Sequence, residues 1–214
     1  MNRQISRWFC FATVVSAVGV ILVTACSPAA LTQVPPTSTQ VLPTPTMGPV
    51  DVVKAYEDAF NRHDVPGAMA WLTEDVSFSQ KDLWELTTQQ DVQKGHEFFL
   101  ALPVEVHYTD CQTSADTVTC KMTYADACTR AFGMNATPGE AVLTIVKDKI
   151  KMIKWTMDPA ADAQYWANFD KFMSWFEKTY PDEYKWTQTD DNWLTKENGA
   201  ILAKRFQEYG ATLK

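Results

Sequence analysis

Charge is missing from the start of this chain. Arg3 and Arg7 are the only charged residues before Asp51 in a sequence of 214. Histidine is scarce, with three copies, and none stands at ligand spacing from a cysteine, so a zinc site is not expected. Glycine is sparse at 8 residues, and no glycine-rich loop of the kind that cradles phosphate occurs. There is no GxSxG, no HExxH and no calcium loop. Apolar runs long enough to cross a bilayer are missing too, apart from one at the N-terminus, which excludes a multi-span transporter. Basic charge is in deficit: from Asp51 onward 17 basic residues face 26 acidic ones, a balance of -9, which argues against nucleic-acid phosphates as a partner. What remains is a globular composition, 46% hydrophobic and 21% charged.

The N-terminus reads as an export signal over 1–25. Two arginines precede an uncharged apolar run from Trp8 to Ala25. Leu22-Val23-Thr24-Ala25-Cys26 resembles a bacterial lipobox, which implies cleavage before Cys26 and acylation of its thiol. Two or three acyl chains anchor stably, since each buried methylene contributes about 0.8 kcal/mol. The folded part is therefore expected outside the cytoplasm, lipid-anchored to the cell membrane. Residues 26–48 form a linker with five prolines and five threonines and no charge. Such a segment favours extended polyproline II and builds no core.

Three cysteines remain for the folded part. Tyr108–Gln112 and Val118–Tyr124 read as two strands around a turn at Ser114-Ala115-Asp116. With Ala115 and Asp116 as the central pair, Cys111 faces Cys120 and Asp110 faces Lys121. In an oxidising compartment this register predicts a Cys111–Cys120 disulfide. Cys128 is left as a buried free thiol or a competitor for either partner.

From 49 to 158 the pattern is that of one α+β domain. Val52, Val53, Tyr56, Ala59 and Phe60 share a helical face. Asp64 caps a second helix carrying Val65, Ala68, Met69 and Leu72. A strand follows around Asp75–Phe78, a weaker one at 83–87, and a third helix from about Gln93 to Ala101. Strands at 104–112, 117–125, 140–147 and 149–157 complete an antiparallel meander. Residues 159–214 are rich in rings, 12 of 56. Tyr165, Phe169, Phe172, Met173 and Phe176, widened by Trp166 and Trp175, form a helical stripe that demands burial. Pro181 is expected to end that helix, a loop with Trp186 and Trp193 to follow, and a last helix to run from Thr195 to a stop at Gly210. This extension is expected to pack on the outer sheet or over a pocket mouth as extra core, or to act as a lid.

Within 50–158, Ala59-Phe60-Asn61-x-x-Asp64, Leu72-x-x-Asp75-Val76-x-Phe78, Gly95, and Ile150-x-x-Ile153-x-Trp155 resemble the nuclear transport factor 2-like superfamily. That group includes SnoaL-like polyketide cyclases and ketosteroid isomerases. The resemblance implies a curved antiparallel sheet wrapped around the helices, enclosing a cone-shaped apolar pocket. Tyr56 falls where the isomerases hold an oxyanion donor. Gln80 falls where they hold the general base, and Ala141 where they hold a protonated acid. Without a base, proton shuttling at a carbon acid is disfavoured, although Asp82 or His107 could substitute. The sequence thus favours non-catalytic binding of a small apolar or aromatic ligand among Tyr56, Trp71, Phe78, Trp84, Tyr108, Tyr124 and Trp155, with no catalytic residue and no cofactor. Two alternatives stand beside it: a cyclase, isomerase or dehydratase, and a protein-interaction module with a filled pocket. A homodimer is compatible with any of the three. Lys147, Lys149, Lys151 and Lys154 read as a solvated edge or as a patch for acidic ligands.

Overall fold

The structure, a computed structural model, describes residues 47–189 and 193–214. The export signal, Cys26 and nearly all of the linker lie outside the described residues. Among these no helix is long and apolar enough to cross a membrane.

The elements run α1 (Pro49–Asn61), α2 (Val65–Ala70), β1 (Leu72–Gln80), β2 (Trp84–Leu86), α3 (Gln89–Ala101), β3 (Glu105–Ser114), β4 (Thr117–Ala125) and α4 (Ala127–Ala131). They continue with β5 (Thr137–Val146), β6 (Lys149–Met157), α5 (Pro159–Thr179), α6 (Pro181–Thr187) and α7 (Lys196–Thr212). The class is α+β, with one six-stranded sheet in the order β2-β1-β6-β5-β4-β3. The expected antiparallel sheet is corrected at one seam: β1 lies parallel to β6, and all other neighbours are antiparallel. The first strand closes beside the last, and a strand reached by a long excursion is free to pair in either sense.

Local chemistry explains the boundaries. Pro49 opens α1, where a missing N–H costs nothing. The Asp64 carboxylate accepts the Gly67 N–H at 3.0 Å and caps α2, and the Thr88 hydroxyl accepts the Asp91 N–H at 3.1 Å to cap α3. Along β3 to β6 the inward positions are apolar and buried, among them Val106, Tyr108, Val118, Met122, Leu143, Ile153 and Trp155. Their outward neighbours are mostly Thr, Lys and Glu, with His107, Val142 and Met152 among them. Irregular register in β1, β3 and at the β5–β6 pairing bends these strands. In β3 the irregularity falls at Asp110 and Cys111, where Asp110 has φ +50. Beyond it the pairing is the expected one, Gln112 with Thr119; before it the register slips by one residue. The disulfide between Cys111 and Cys120 is formed, and Lys121 donates to Asp110 at 2.7 Å. Cys128 is free and buried.

Asn61 ties the end of α1 to β3. Its side-chain amide donates to the Val106 carbonyl at 2.6 Å and accepts the Val106 N–H at 3.0 Å. A single carboxamide thus stands in for a neighbouring strand on the open edge of β3.

The C-terminal helices depart from expectation in several ways. Helix α5 ends just before Pro181, as expected, but the segment after it is not a loop: Pro181 opens α6 as its first residue. Gly210 does not stop α7, which runs on to Thr212. The short helix α4 interrupts a region expected to hold only strands. Nor does the extension lie on the outer sheet. Helix α7 packs on α3 and α4, and α5 on α4, α7 and the start of β5. Two glycines permit this approach. A Cβ at Gly199 would sit 2.6 Å from the Phe98 carbonyl oxygen, and one at Gly210 would meet the Ala131 backbone at 3.0 Å. Arg205 ties α7 to α6: its guanidinium donates to both Glu183 oxygens at 2.7 and 2.8 Å and to Glu208 at 2.6 Å, over the Tyr180 ring. The aromatic stripe is only partly buried, with Phe172 and Phe176 fully enclosed and Phe172 stacked on Phe206 at 3.8 Å.

A Gly199→Ala substitution is expected to lower stability by about 1–3 kcal/mol, because backbone cannot yield as a side chain does. Thermal unfolding measures it, and an unchanged midpoint would show that α7 does not lie against α3.

Candidate functional site

The concave face of the sheet and the buried faces of α1 and α3 meet in one cluster of rings. Phe78 from β1 and Trp155 from β6 stand edge to face at 4.7 Å. Phe60 from α1 and Phe99 from α3 pack on both sides of them. Tyr56 and His96 complete the cluster beneath Phe60. Tyr108 joins through a hydrogen bond rather than a ring contact.

Each polar atom in the cluster has a partner. The His96 Nδ1 lies 2.7 Å from the Val92 carbonyl oxygen, which can only accept, so Nδ1 carries the proton. The lone pair on Nε2 then accepts the Tyr56 hydroxyl at 2.9 Å. The Trp155 indole N–H donates to the Tyr108 hydroxyl at 3.0 Å. Burial pushes the His96 imidazole down to about 4, so it is neutral at ordinary pH. Burial pushes both the Tyr56 and Tyr108 phenols well up, so both are neutral as well.

Of the seven residues expected to line a pocket, Tyr56, Phe78, Tyr108 and Trp155 come together here, each at most 2% exposed. Phe78 and Trp155 pack ring on ring, while Tyr56 is joined to them through His96 and Tyr108 through the indole N–H. A small hollow beside them, between Phe60, His63, His96, Phe99 and Val104, measures about 10 Å³, room for about one water. Trp84 is half-buried on β2 and touches Phe78 at 5.0 Å. Tyr124 lies at one end, against Trp155 at 6.0 Å. Trp71, at the end of α2, packs half-buried against the hydrophobic core without a ring contact to this cluster, and its carbonyl accepts the Ile150 N–H.

The substitute bases are not in reach of Tyr56. Asp82 sits on the β1–β2 turn with its side chain 85% exposed, and His107 points outward from β3 toward Glu57 with its side chain 61% exposed. Ala141 is buried opposite Cys120 and Trp155. Among the described residues no group of three or more histidines, cysteines or acids is placed to hold a metal ion. The lysine cluster is partly spent, since Lys151 pairs with Asp75 at 2.8 Å.

One buried acid escaped the sequence reading. Asp126, the N-cap of α4, accepts the hydroxyls of Tyr124 at 3.0 Å and Tyr165 at 2.7 Å, and the Thr129 N–H at 2.9 Å. Burial raises its carboxyl above the usual range, while these donors pull the other way. Tyr165 belongs to α5, so this contact fastens the extension to the end of β4. Its only sequence signal was an acid standing directly before a helix not recognised as one.

No described protein family matches the chain, and no curated protein matches it. Solved structures similar to it include an NTF2-like protein of unknown function from Cytophaga hutchinsonii, at 13% identity over 56% of this chain and 96% of that one, with a TM-score of 0.46. An LEH-like epoxide hydrolase from Mycobacterium tuberculosis is 12% identical over 55% and 87%, with a TM-score of 0.48. A polyketide cyclase assigned by similarity in Pseudomonas putida is 17% identical over 56% and 98%, with a TM-score of 0.44. At such identities the likeness concerns the fold and carries no ligand or reaction to this chain.

His96 makes the interior sensitive to acid. The unfolded imidazole takes its proton near 6.5 and the folded one near 4, so its contribution is complete above 6.5 and is lost as pH falls across that window. Urea unfolding of the protein and of His96→Gln at matched pH is expected to show their stability difference shrinking by roughly 3 kcal/mol between neutral pH and pH 4. A constant difference would mean that the imidazole is not held neutral.

Proposed function

We propose that this chain is a membrane-tethered extracytoplasmic interaction module that works without catalysis and docks a second copy of itself through the outer face of its sheet. The observation that carries the reading is the closed ring cluster. Proton transfer needs a base within hydrogen-bond reach of the reacting atom, and the buried candidates are already engaged: the His96 nitrogens and the Tyr56 hydroxyl with each other and with Val92, and the Asp126 carboxylate with Tyr124, Tyr165 and Thr129. A small apolar or aromatic ligand, favoured by the sequence, has no open space to enter while the rings stay as they are.

Binding then falls to the surface, and one surface stands out. The outer sheet positions Ser77 and Ser79 on β1, Met152 on β6, Val142 and Thr144 on β5, and Thr117 and Thr119 on β4 are half-buried, with none fully covered. Lys154 stands within the face, between Ser79 and Val142. Lys121, Glu140 and Asp110 stand along one side of it, so the face holds both signs and can complement itself under a two-fold rotation. An open groove of about 580 Å³ between Asp110, Gln112, Thr119, Lys121 and Glu140 gives the face relief. The tether supports the reading too, since acylation at Cys26 would confine copies to a plane and raise their effective concentration.

Two measurements test the proposal. Sedimentation velocity of the protein is expected to show a dimer that Val142→Glu breaks, the new carboxylate lying opposite Lys154 in the ladder and so tolerated by the fold. A monomer at all concentrations would remove the docking face. Metabolic labelling with a radioactive fatty acid is expected to mark the protein and to leave Cys26→Ser unmarked; label on neither would remove the tether.

A further inference from the structure

The ring cluster is closed by one residue that differs from the rest. Phe78, Phe99 and Trp155 sit on long strands or a long helix and are at most 7% exposed. Trp84, which contacts all three at 5.0, 5.9 and 6.5 Å, is half-buried and belongs to a strand of three residues. That strand is at the edge of the sheet and is held by three pairings to β1 alone: Gln80 with Trp84, Ser79 with Glu85, and Phe78 with Leu86. The turn before it holds Asp82 at φ +61, a conformation that costs a non-glycine residue roughly 1 kcal/mol. Leu83, next in line, is an exposed apolar side chain. The remaining anchor is Leu86, whose methyl group rests over Gly95 of α3, so close that a Cβ there would meet it at 2.8 Å.

We propose that Trp84 is a built-in plug: the β2 segment holds an indole in a site that a neutral, flat aromatic molecule of indole size takes when the segment swings out. The chemistry of the walls sets the ligand class. Phe78, Phe99 and Trp155 offer edges and faces to a ring. No formal charge stands in the cluster to balance an ion, and burying one unpaired is prohibitive. The charges near the plug, on Lys81, Asp82 and Glu85, are exposed at the mouth and would be left behind in water. The inference shares the non-catalytic reading above and is independent of the docking face, because Trp84 points inward and the outer face does not use it.

The test uses the full chain labelled with 5-fluorotryptophan and free indole as probe. The Trp84 fluorine resonance is identified by its loss in Trp84→Phe. On adding indole to the wild type, that resonance is expected to move toward the position of a solvent-exposed tryptophan, and the Trp155 resonance to shift with the same midpoint. Trp84→Ala removes the competitor and is expected to bind indole about tenfold more tightly, as a site whose open form is a minor population must. If Trp84→Ala binds indole while the wild-type Trp84 resonance stays fixed at saturating indole, the hole is only an engineered one and the plug is refuted. If neither binds, the site is refuted. Should Trp84→Ala fail to fold, the wild-type titration decides alone. Sedimentation of the same samples reads the docking face separately.

Discussion

A hydrogen bond between Trp155 and Tyr108 fixes the shape on which everything else depends. Trp155 lies on β6, at the middle of the sheet, and Tyr108 on β3, at its edge, with β5 and β4 between them. In a flat sheet those strands stand roughly 14 Å apart. A 3.0 Å bond between their side chains therefore favours a concave face, and the bulges in β1, β3 and β5–β6 supply the bend. The buried indole must find an acceptor or forfeit the cost of an unpaired donor. Once Trp155 is turned toward Tyr108, its ring faces are set, and Phe60, Phe78, Phe99 and Tyr124 pack around them.

The small side chain at Ala141 has a structural consequence. Ala141 lies across the sheet from Trp155 and is fully buried. A carboxyl at that place would need water or a partner, and either would hold space open beside the indole. A methyl group needs neither, so the rings close. The same holds on α1. The Tyr56 hydroxyl would be free to donate to a ligand oxygen if nothing else accepted it, but the proton on His96 Nδ1 leaves Nε2 as an acceptor 2.9 Å away. The Tyr56 hydroxyl is thereby already engaged. Residue identity at one position therefore says little of chemistry until its neighbours are placed.

The parts legible in the sequence were those governed by nearest neighbours. The helical faces of α1 and α7, the Asp64 cap, the Lys147-Asp148 turn between β5 and β6, and the disulfide all follow from spacing of a few residues. So did the class of fold, because strands in series after helices leave few arrangements. What escaped was set by distant partners. The parallel pairing of β1 with β6 joins residues 75 to 78 apart in sequence. Helix α4 spans only five residues, and its cap Asp126 shows its worth only when Tyr165 arrives from α5. Gly210 was read as a terminator because glycine commonly ends a helix, yet it serves contact with Ala131. Of the residues named for a pocket, Tyr56, Phe78, Tyr108 and Trp155 lie buried together; periodicity reveals which way a side chain points and not how far its neighbour reaches.

The distribution of polar atoms bears on how such a molecule would meet a partner. All described helices gather on the concave side and ends of the sheet, and the C-terminal ones are drawn there by Gly199, Gly210 and Arg205. Assembly through strand edges is hindered at both ends of the sheet. On β3, Asn61 already occupies the N–H and carbonyl of Val106, and the bulge at Asp110 spoils the ladder beyond it. On the other side the edge strand is three residues long, too short to template a neighbour. With the edges blunted and the concave side filled, the broad outer face remains, rich in threonine and serine with valine and methionine among them. Hydroxyl-bearing, β-branched side chains keep such a face soluble alone and still lose little rotamer freedom when covered. That favours face-on over edge-on association.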